Sequence, residues 1–197
     1  MATLQFVREL KDSNLLLLGI IEEGESNNYT VNLSAFRDIG APSVGAELDS
    51  SQMSGIRYTD ELIRAKKKAL NILAYADNNK KNLSLKLYRA GFSREIVDSV
   101  CSDMVEHGYV NEERQLERII LNEANIKLRG PMKITPALVA KGYSMAQVKS
   151  VMNRLVESGE IDFSLNAKRL LDKKLPDGGD NEEVKKILYK NGFKKYD

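Results

Sequence analysis

The sequence predicts a mainly α-helical protein: tandem three-helix repeats form an elongated, curved array behind a small β-rich N-terminal domain. A repeat of 51 residues in the last two-thirds of the 197-residue chain predicts the array. Apolar residues at helical spacing within each repeat predict its helices. Leucine-rich and β-branched segments separated by a polar turn predict the strands. We expect domains at residues 1–57, 58–110, 111–161 and 162–197.

The β-rich domain is predicted from three short apolar segments. Residues 3–7, 14–21 and 29–36 are rich in leucine and β-branched residues. Gly24 and polar residues separate the second segment from the third, which is typical of a hairpin. Residues 40–55 contain proline, glycine and several serines, so we expect loops there with one helical turn.

The repeat is visible when two segments are aligned without a gap. Residues 87–110 and 138–161 share nine identities in 24 positions, where chance would give about one or two. A third copy begins near the end, where Leu188 and Gly192 match leucine and glycine of the first copy. We expect this copy to lack its last helix. A three-helix unit of this size cannot bury its apolar face alone, so neighbouring repeats should share a core.

The first repeat has clear signals for the ends of its helices. The first two helices are predicted at residues 61–77 and 80–90. Gly91 fits the left-handed position that ends a helix, Ser93 can cap the third helix, and Gly108 can end it. The side chains expected to point inward are Leu83, Leu87 and Tyr88 on the second helix and Phe92, Ile96, Val97, Val100, Met104 and Val105 on the third.

The later repeats follow the same pattern. Asn111 is a good cap for the next helix, and Ser144 opens a capping-box sequence. Pro136 falls inside a predicted helix, which should therefore be kinked or start late. The third repeat offers helices at residues 163–174 and 182–191. The inward residues of the second repeat's last helix are Tyr143, Val148, Val151, Met152, Leu155 and Val156.

The sequence contains no motif of an enzyme or cofactor site. His107 is the only histidine and should lie at an exposed helix end. Cys101 is the only cysteine and should be buried as a small apolar residue. There is no Cys/His cluster with zinc spacing and no glycine-rich nucleotide-binding loop. We therefore expect no catalytic residue, no cofactor and no metal site.

Cysteine content and hydropathy indicate a compartment. A single cysteine cannot form an internal disulfide, which favours the reducing cytoplasm. The most apolar run, residues 15–21, is far shorter than the ~20 residues of a membrane-spanning helix, and the N-terminus lacks the layout of a signal peptide. We expect a cytoplasmic monomer that does not contact membranes.

Charge is distributed unevenly along the chain. Residues 1–60 carry 4 Lys/Arg and 9 Asp/Glu, a net charge of −5, whereas residues 61–197 carry 26 and 19, a net charge of +7. The basic residues concentrate in the first two helices of repeats one and two, which predicts a basic face for an acidic protein or a phosphate backbone. Its candidate residues are Arg64, Lys67, Lys68, Lys80, Lys81, Lys86, Arg89, Arg114, Arg118, Lys127, Arg129, Lys133 and Lys141.

Several spaced motifs resemble the RecX family of regulators. Residues 107–114, His-Gly-Tyr-Val-Asn-Glu-Glu-Arg, resemble the family's Gly-Tyr-Leu-(Asp/Asn)-Asp-x-Arg signature. Residues 130–143, with Gly-Pro-x-x-Ile, a later Leu and then Lys-Gly-Tyr, resemble its Gly-Pro-x-x-Ile…Leu…Lys-Gly-Ile stretch. Residues 69–92 look like its opening helices, and Gly45-x-x-Leu48-Asp49 resembles the leader of the longer Gram-positive members. The resemblance covers residues 40–197.

This resemblance implies a partner. RecX proteins consist of tandem three-helix units, bind RecA and inhibit recombination by lodging in the groove of the RecA–DNA filament. The partners would then be RecA and the RecA–DNA filament, met by the basic face, in DNA repair and the SOS response. The residues alone leave two alternatives open: a helix-turn-helix DNA-binding protein that uses the short helix and the one after it, or an interaction scaffold for another acidic protein.

Overall fold

The computed structural model describes residues 1–11 and 14–194, which form two compact units. The first unit comprises residues 1–76 and 83–107. The second comprises residues 77–82 and the described chain from residue 108 onward. Residues 195–197, with which the predicted third repeat ends, lie outside the described residues.

An antiparallel sheet opens the first unit, as the sequence predicts. Its strands are β1 (Ala2–Glu9), β2 (Leu15–Glu22), β3 (Glu25–Asn32) and β4 (Glu47–Leu48), in the order β3-β2-β1-β4. Glu23 and Gly24 join β2 to β3, and both have positive φ, as a type I′ hairpin turn requires. Alternate residues of β2, including Leu18 and Ile20, are buried in the core under this sheet.

The predicted third strand is too long. After Asn32 the chain turns into helix α1 (Leu33–Asp38), because the Asn32 side chain accepts a hydrogen bond from the backbone N–H of Ala35. The strand prediction through residue 36 is therefore wrong. Its apolar residues fit either structure over so short a segment, and the cap decides between them.

Helix α2 (Ser50–Tyr75) begins well before the predicted residue 61. Asp49 and Gln52 form a capping box at its start, a signal hidden in the segment expected to be loops. The first part of α2 packs into the core of the sheet, and its later part packs against helix α4 (Arg94–Glu106). The domain boundary at residue 57 falls inside α2, and the domain limits stay a prediction.

Helices α3 (Lys80–Arg89) and α4 follow the predicted pattern with three corrections. Gly91 and Gly108 have the expected positive φ. Tyr88 and Val105, expected to point inward, are exposed because each lies at the edge of its helix's buried stripe. Ser93 occupies the cap position of α4 without capping it through its side chain; its backbone N–H donates to the Glu61 carboxylate at 2.7 Å.

The second unit contains the remaining helices. These are α5 (Glu112–Leu121), continued by a π-helical turn over Asn122–Ile126, then α6 (Pro131–Ala140), α7 (Met145–Glu157), α8 (Phe163–Lys174) and α9 (Asn181–Lys190). The predicted caps at Asn111 and Ser144 are confirmed. Helix α6 does not start late, since it begins five residues before Pro136. Val156, expected to point inward, is exposed at the edge of the stripe that α7 buries.

Within this unit, the end of α6 meets the start of α3. Helix α6 ends at Ala140 and is capped by Lys141, and the following Gly142 has a φ of +100°. The Asn79 side chain donates from Nδ2 to the backbone oxygen of Lys141 at 2.9 Å and accepts from the backbone N–H of Asn82 at 2.8 Å. A Cβ at Gly142 would lie 2.9 Å from the side chain of Lys81. Glycine is favoured there by its backbone conformation, whereas the Lys81 side chain is flexible and can move aside.

The end of α9 meets the start of α6 in the same way. The backbone N–H of Gly130 donates to the oxygen of Asn191 at 2.8 Å, and the N–H of Met132 donates to the oxygen of Gly192 at 3.1 Å. Gly130 stands 51 residues after Asn79. Where α6 meets α3, the hydrogen-bond donor is the Asn79 side chain, and where α9 meets α6, the donor is the backbone N–H of Gly130. The sequence repeat thus corresponds to a repeated contact between the end of one helix and the start of an earlier one.

Replacing Asn79 with alanine should destabilise the fold. Asn79 is only 1% exposed, and Asn79→Ala leaves the N–H of Asn82 without this partner and the Lys141 carbonyl with only a long contact, at a cost of about 1–3 kcal/mol. Urea unfolding followed by circular dichroism measures this. Asn82→Ala is the matched control, because Asn82 reaches the same Lys141 oxygen only at 3.4 Å. Equal losses in the two variants would contradict the role given to Asn79.

Candidate partner-binding site

The structure places the predicted basic residues on both units. The first unit holds Arg64, Lys67 and Lys68 on α2 and Lys86 and Arg89 on α3. The second unit holds Lys80 and Lys81 at the start of α3, Arg114 and Arg118 on α5, and Lys127, Arg129, Lys133 and Lys141 around α6. All are exposed except Arg129 and Lys133, which are half-buried. Exposure alone does not make each of them available to a partner, because several already bind carboxylates.

On α2, the basic residues differ in what they contact. Arg64 donates from Nε to the Asp60 carboxylate at 2.8 Å, and the same carboxylate accepts the backbone N–H of Thr30 at 2.8 Å. Arg64 therefore helps to hold α2 on β3. Lys67 and Lys68 lie one turn further along the exposed side and form no ion pair within the described chain. Tyr75 lies two turns beyond Lys68 and is 94% exposed.

In the second unit, Glu123 neutralises two of the predicted cations. Lys127 Nζ lies 2.7 Å from its carboxylate, and Arg129 binds the other carboxylate oxygen. Burial alone would raise the pKa of Glu123. The hydrogen bonds and charges of Lys127 and Arg129 outweigh burial and hold the pKa below its ordinary value of 4.5. These two cations thus fix the loop between the π-helical turn and α6.

A cleft of about 590 Å³ opens at the start of α5. Its lining includes the exposed Tyr109, the side chain of Arg114, and the ion pair between Arg118 and Asp77. Arg114 has no ion pair within the described residues. The cleft therefore offers one unpaired guanidinium and one aromatic ring beside a paired guanidinium.

Gln115, which lines this cleft, belongs to a buried polar network. The Tyr143 hydroxyl donates to Gln115 Oε1 at 3.0 Å, and Gln115 Nε2 donates to the backbone oxygen of Asn78 at 3.2 Å. Burial raises the pKa of Tyr143, and the negative charges of Glu112 and Asp77 raise it further. Tyr143 therefore stays a neutral hydrogen-bond donor at physiological pH. The network holds α5 against the segment before α3.

Glu112 fixes the same region from the other side. Its Oε1 accepts the backbone N–H of Lys80 at 2.8 Å, and its Oε2 accepts Gln147 Nε2 at 3.2 Å. One carboxylate thus joins the starts of α3, α5 and α7, where helix N-termini favour negative charge. The sequence alone does not mark Glu112, Gln115 or Asn79 as determinants of this site. A buried asparagine or glutamine looks like a surface residue until its partners are known.

The predictions for Cys101 and His107 are confirmed. Cys101 is buried. His107 ends α4 in an exposed position, with Nδ1 2.9 Å from the backbone oxygen of Asp103. Lys133, half-buried, donates from Nζ to the backbone oxygen of Lys190 at 3.2 Å. None of the helices in the described part of the chain has the length and apolar composition that crossing a bilayer requires.

Glu123→Gln should make stability less dependent on acid pH. Because the folded state lowers the pKa of Glu123, the carboxylate stabilises the fold above about pH 4.5 and loses that contribution as pH falls through the lowered value. At neutral pH the variant should be about 1 kcal/mol less stable, and the difference should shrink in acid. Urea unfolding at a series of pH values tests this. Glu157→Gln, at an exposed position without an ion pair, is the control, and a difference that is constant with pH would contradict the expectation.

Comparison with known proteins confirms the resemblance predicted from the motifs. No protein-family model matches this chain. The chain is 27% identical to the regulatory protein RecX of Clostridioides difficile strain 630 over 162 residues, which cover 82% of this chain and 70% of that protein. It is 23% identical to the regulatory protein RecX of Bacillus cytotoxicus over 152 residues, which cover 77% of this chain but only 55% of that protein.

A solved structure shows the same fold. A crystal structure of a regulatory protein RecX superposes with a TM-score of 0.74, covers 98% of this chain and 95% of its own, and has 18% sequence identity. The prediction of a mainly helical protein with three-helix repeats behind an N-terminal sheet is therefore confirmed. At this identity the likeness concerns the fold.

Proposed function

We propose that this chain is a RecX-type regulatory protein that binds RecA or the RecA–DNA filament in the cytoplasm. It inhibits or modulates the recombinase and ATPase activities of RecA in DNA repair and the SOS response. The observation that carries the proposal is similarity to RecX regulatory proteins across 82% of the chain, joined to the match in fold. The proposed function is to bind this partner, and the basic residues make the contacts.

The ion pairs divide the predicted basic residues into those that already bind a carboxylate of this chain and those that do not. Arg64, Arg118, Lys127 and Arg129 already hold carboxylates of this chain, so a partner would have to compete for them. The cations without an ion pair in the described chain can bind an acidic surface or a phosphate without first breaking an ion pair. These are Lys67, Lys68, Lys81, Arg89, Arg114 and Lys141. They make the first contacts, and the other predicted basic residues support them.

The intact chain should inhibit DNA-dependent ATP hydrolysis by RecA. RecA and single-stranded DNA are mixed with increasing amounts of the chain, and ATP hydrolysis is followed with a coupled assay. Binding to the filament is followed in parallel by cosedimentation. An unchanged rate of hydrolysis together with no cosedimentation would overturn the proposal. Tight binding to duplex DNA without RecA, with a steep salt dependence, would support the helix-turn-helix alternative instead.

Reversing the charge of Lys67 and Lys68 should weaken inhibition. Both are exposed on α2, so Lys67→Glu with Lys68→Glu should leave the fold intact. Loss of two attractions and gain of two repulsions should raise the concentration needed for half inhibition by about tenfold or more. Lys173→Glu with Lys174→Glu on α8 makes the same change of charge outside the predicted face and should leave inhibition unchanged. Equal weakening by both pairs would mean that only net charge matters.

A further inference from the structure

The cleft of about 590 Å³ at the start of α5 lies wholly within the second unit, and most of its polar side chains are already bonded. Within the described chain, Tyr109 and Arg114 are the two polar lining residues whose side chains form no hydrogen bond or ion pair. Both side chains are exposed, the Tyr109 ring to 58%. The cleft therefore offers a partner one guanidinium and one ring that the fold does not use.

Arg114 occupies a position where the fold disfavours a positive charge. It lies in the first turn of α5, where the unpaired N–H groups of a helix favour negative charge. It also stands one turn before Arg118, and like charges at this spacing repel each other. The residues 51 positions before and after it, Ile63 and Leu165, are apolar, so the repeat does not require an arginine here. The fold thus gives no reason for Arg114, which points to a ligand outside the chain.

The charges around Arg114 favour a single carboxylate over a phosphate backbone. The charged lining residues are two cations, Arg114 and Arg118, and two anions, Asp77 and Glu117, so the cleft has no net charge. Asp77 binds Arg118, and Glu117 lies 3.2 Å from Arg154. Single-stranded DNA brings one phosphate with each nucleotide and is bound along positively charged grooves. A lone carboxylate needs only one guanidinium, which can bind both of its oxygens.

The other exposed group of the cleft suits the rest of an acidic side chain. Aspartate and glutamate carry their carboxylate on a short carbon stem, which the Tyr109 ring can cover. Leu121 adds a further apolar surface to the same lining. Tyrosine and arginine are also enriched among the residues that contribute most to protein–protein binding.

We propose that Arg114 and Tyr109 bind an aspartate or glutamate side chain on the protein component of the RecA–DNA filament. Arg114 holds the carboxylate, and the Tyr109 ring covers the carbon stem. This inference rests on the proposed function, and it adds that the cleft contacts protein rather than DNA.

Binding of the full chain to filaments of RecA on single-stranded DNA, measured by titration and cosedimentation, tests the proposal. Arg114→Ala should weaken binding at least about tenfold, because it removes a charge-assisted contact. Tyr109→Ala should weaken binding about threefold or more, whereas Tyr109→Phe, which keeps the ring, should bind like the original chain. The matched controls are Arg169→Ala and Tyr189→Ala, at exposed positions of the same unit outside the cleft, and they should not change binding. Circular dichroism should show that all the variants stay folded.

A second titration, with single-stranded DNA and no RecA, separates a carboxylate from a phosphate. The original chain and Arg114→Ala should behave alike there. If Arg114→Ala instead weakens DNA binding and lowers its salt dependence by about one phosphate contact, the ligand is DNA and the proposal is overturned. Filament binding by the original chain that Arg114→Ala leaves unchanged would also overturn it, with the proposed function still standing. If the original chain does not bind the filament at all, the proposed function fails and this inference fails with it.

Discussion

The second unit depends on helix-end carbonyl groups that accept hydrogen bonds from the preceding repeat. The last carbonyls of a helix have no partner within it, and a buried one that stays unpaired is costly. Lys141 and Asn191 present such carbonyls beside glycines with positive φ, and donors at Asn79 and Gly130 satisfy them. The donors stand 51 residues apart and the acceptors 50. This spacing explains the sequence repeat in physical terms. In each new repeat, the helix that ends at a glycine must reach the start of a helix in the preceding repeat.

The contact between Asn79 and the end of α6 also organises the cleft at the start of α5. Once Asn79 is fixed, the short segment before α3 places Asp77 beside Arg118 and the start of α3 beside Glu112. Four of the predicted basic residues form ion pairs with carboxylates of this chain. A cluster of basic residues in a sequence is therefore not the same as a cluster of available charges. Only the contacts separate the two, and they leave Lys67, Lys68 and Arg114 among those without a carboxylate.

Local signals account for what could be predicted. The caps at Asn111 and Ser144 and the limits of α8 follow from a few neighbouring residues, and the structure agrees with them. The predicted start of α2 and the predicted end of β3 were wrong because propensity over six to ten residues is ambiguous there. Capping by Asp49 and Asn32 determines where the two helices begin. Long-range partners decide the rest. Nothing near Gln115 in the sequence indicates that the Tyr143 hydroxyl and a backbone carbonyl will bury its amide.

The motif at residues 107–114, through which the chain resembles RecX proteins, can now be divided by physical role. Gly108 takes the left-handed conformation after α4, Asn111 caps α5, and Glu112 joins the starts of three helices. These roles belong to the fold and would be needed whatever the partner. Tyr109 and Arg114 have no such task, and both line the cleft with their side chains exposed. Most of the motif therefore supports the likeness in architecture, and only Tyr109 and Arg114 remain as candidates for the partner contacts proposed above.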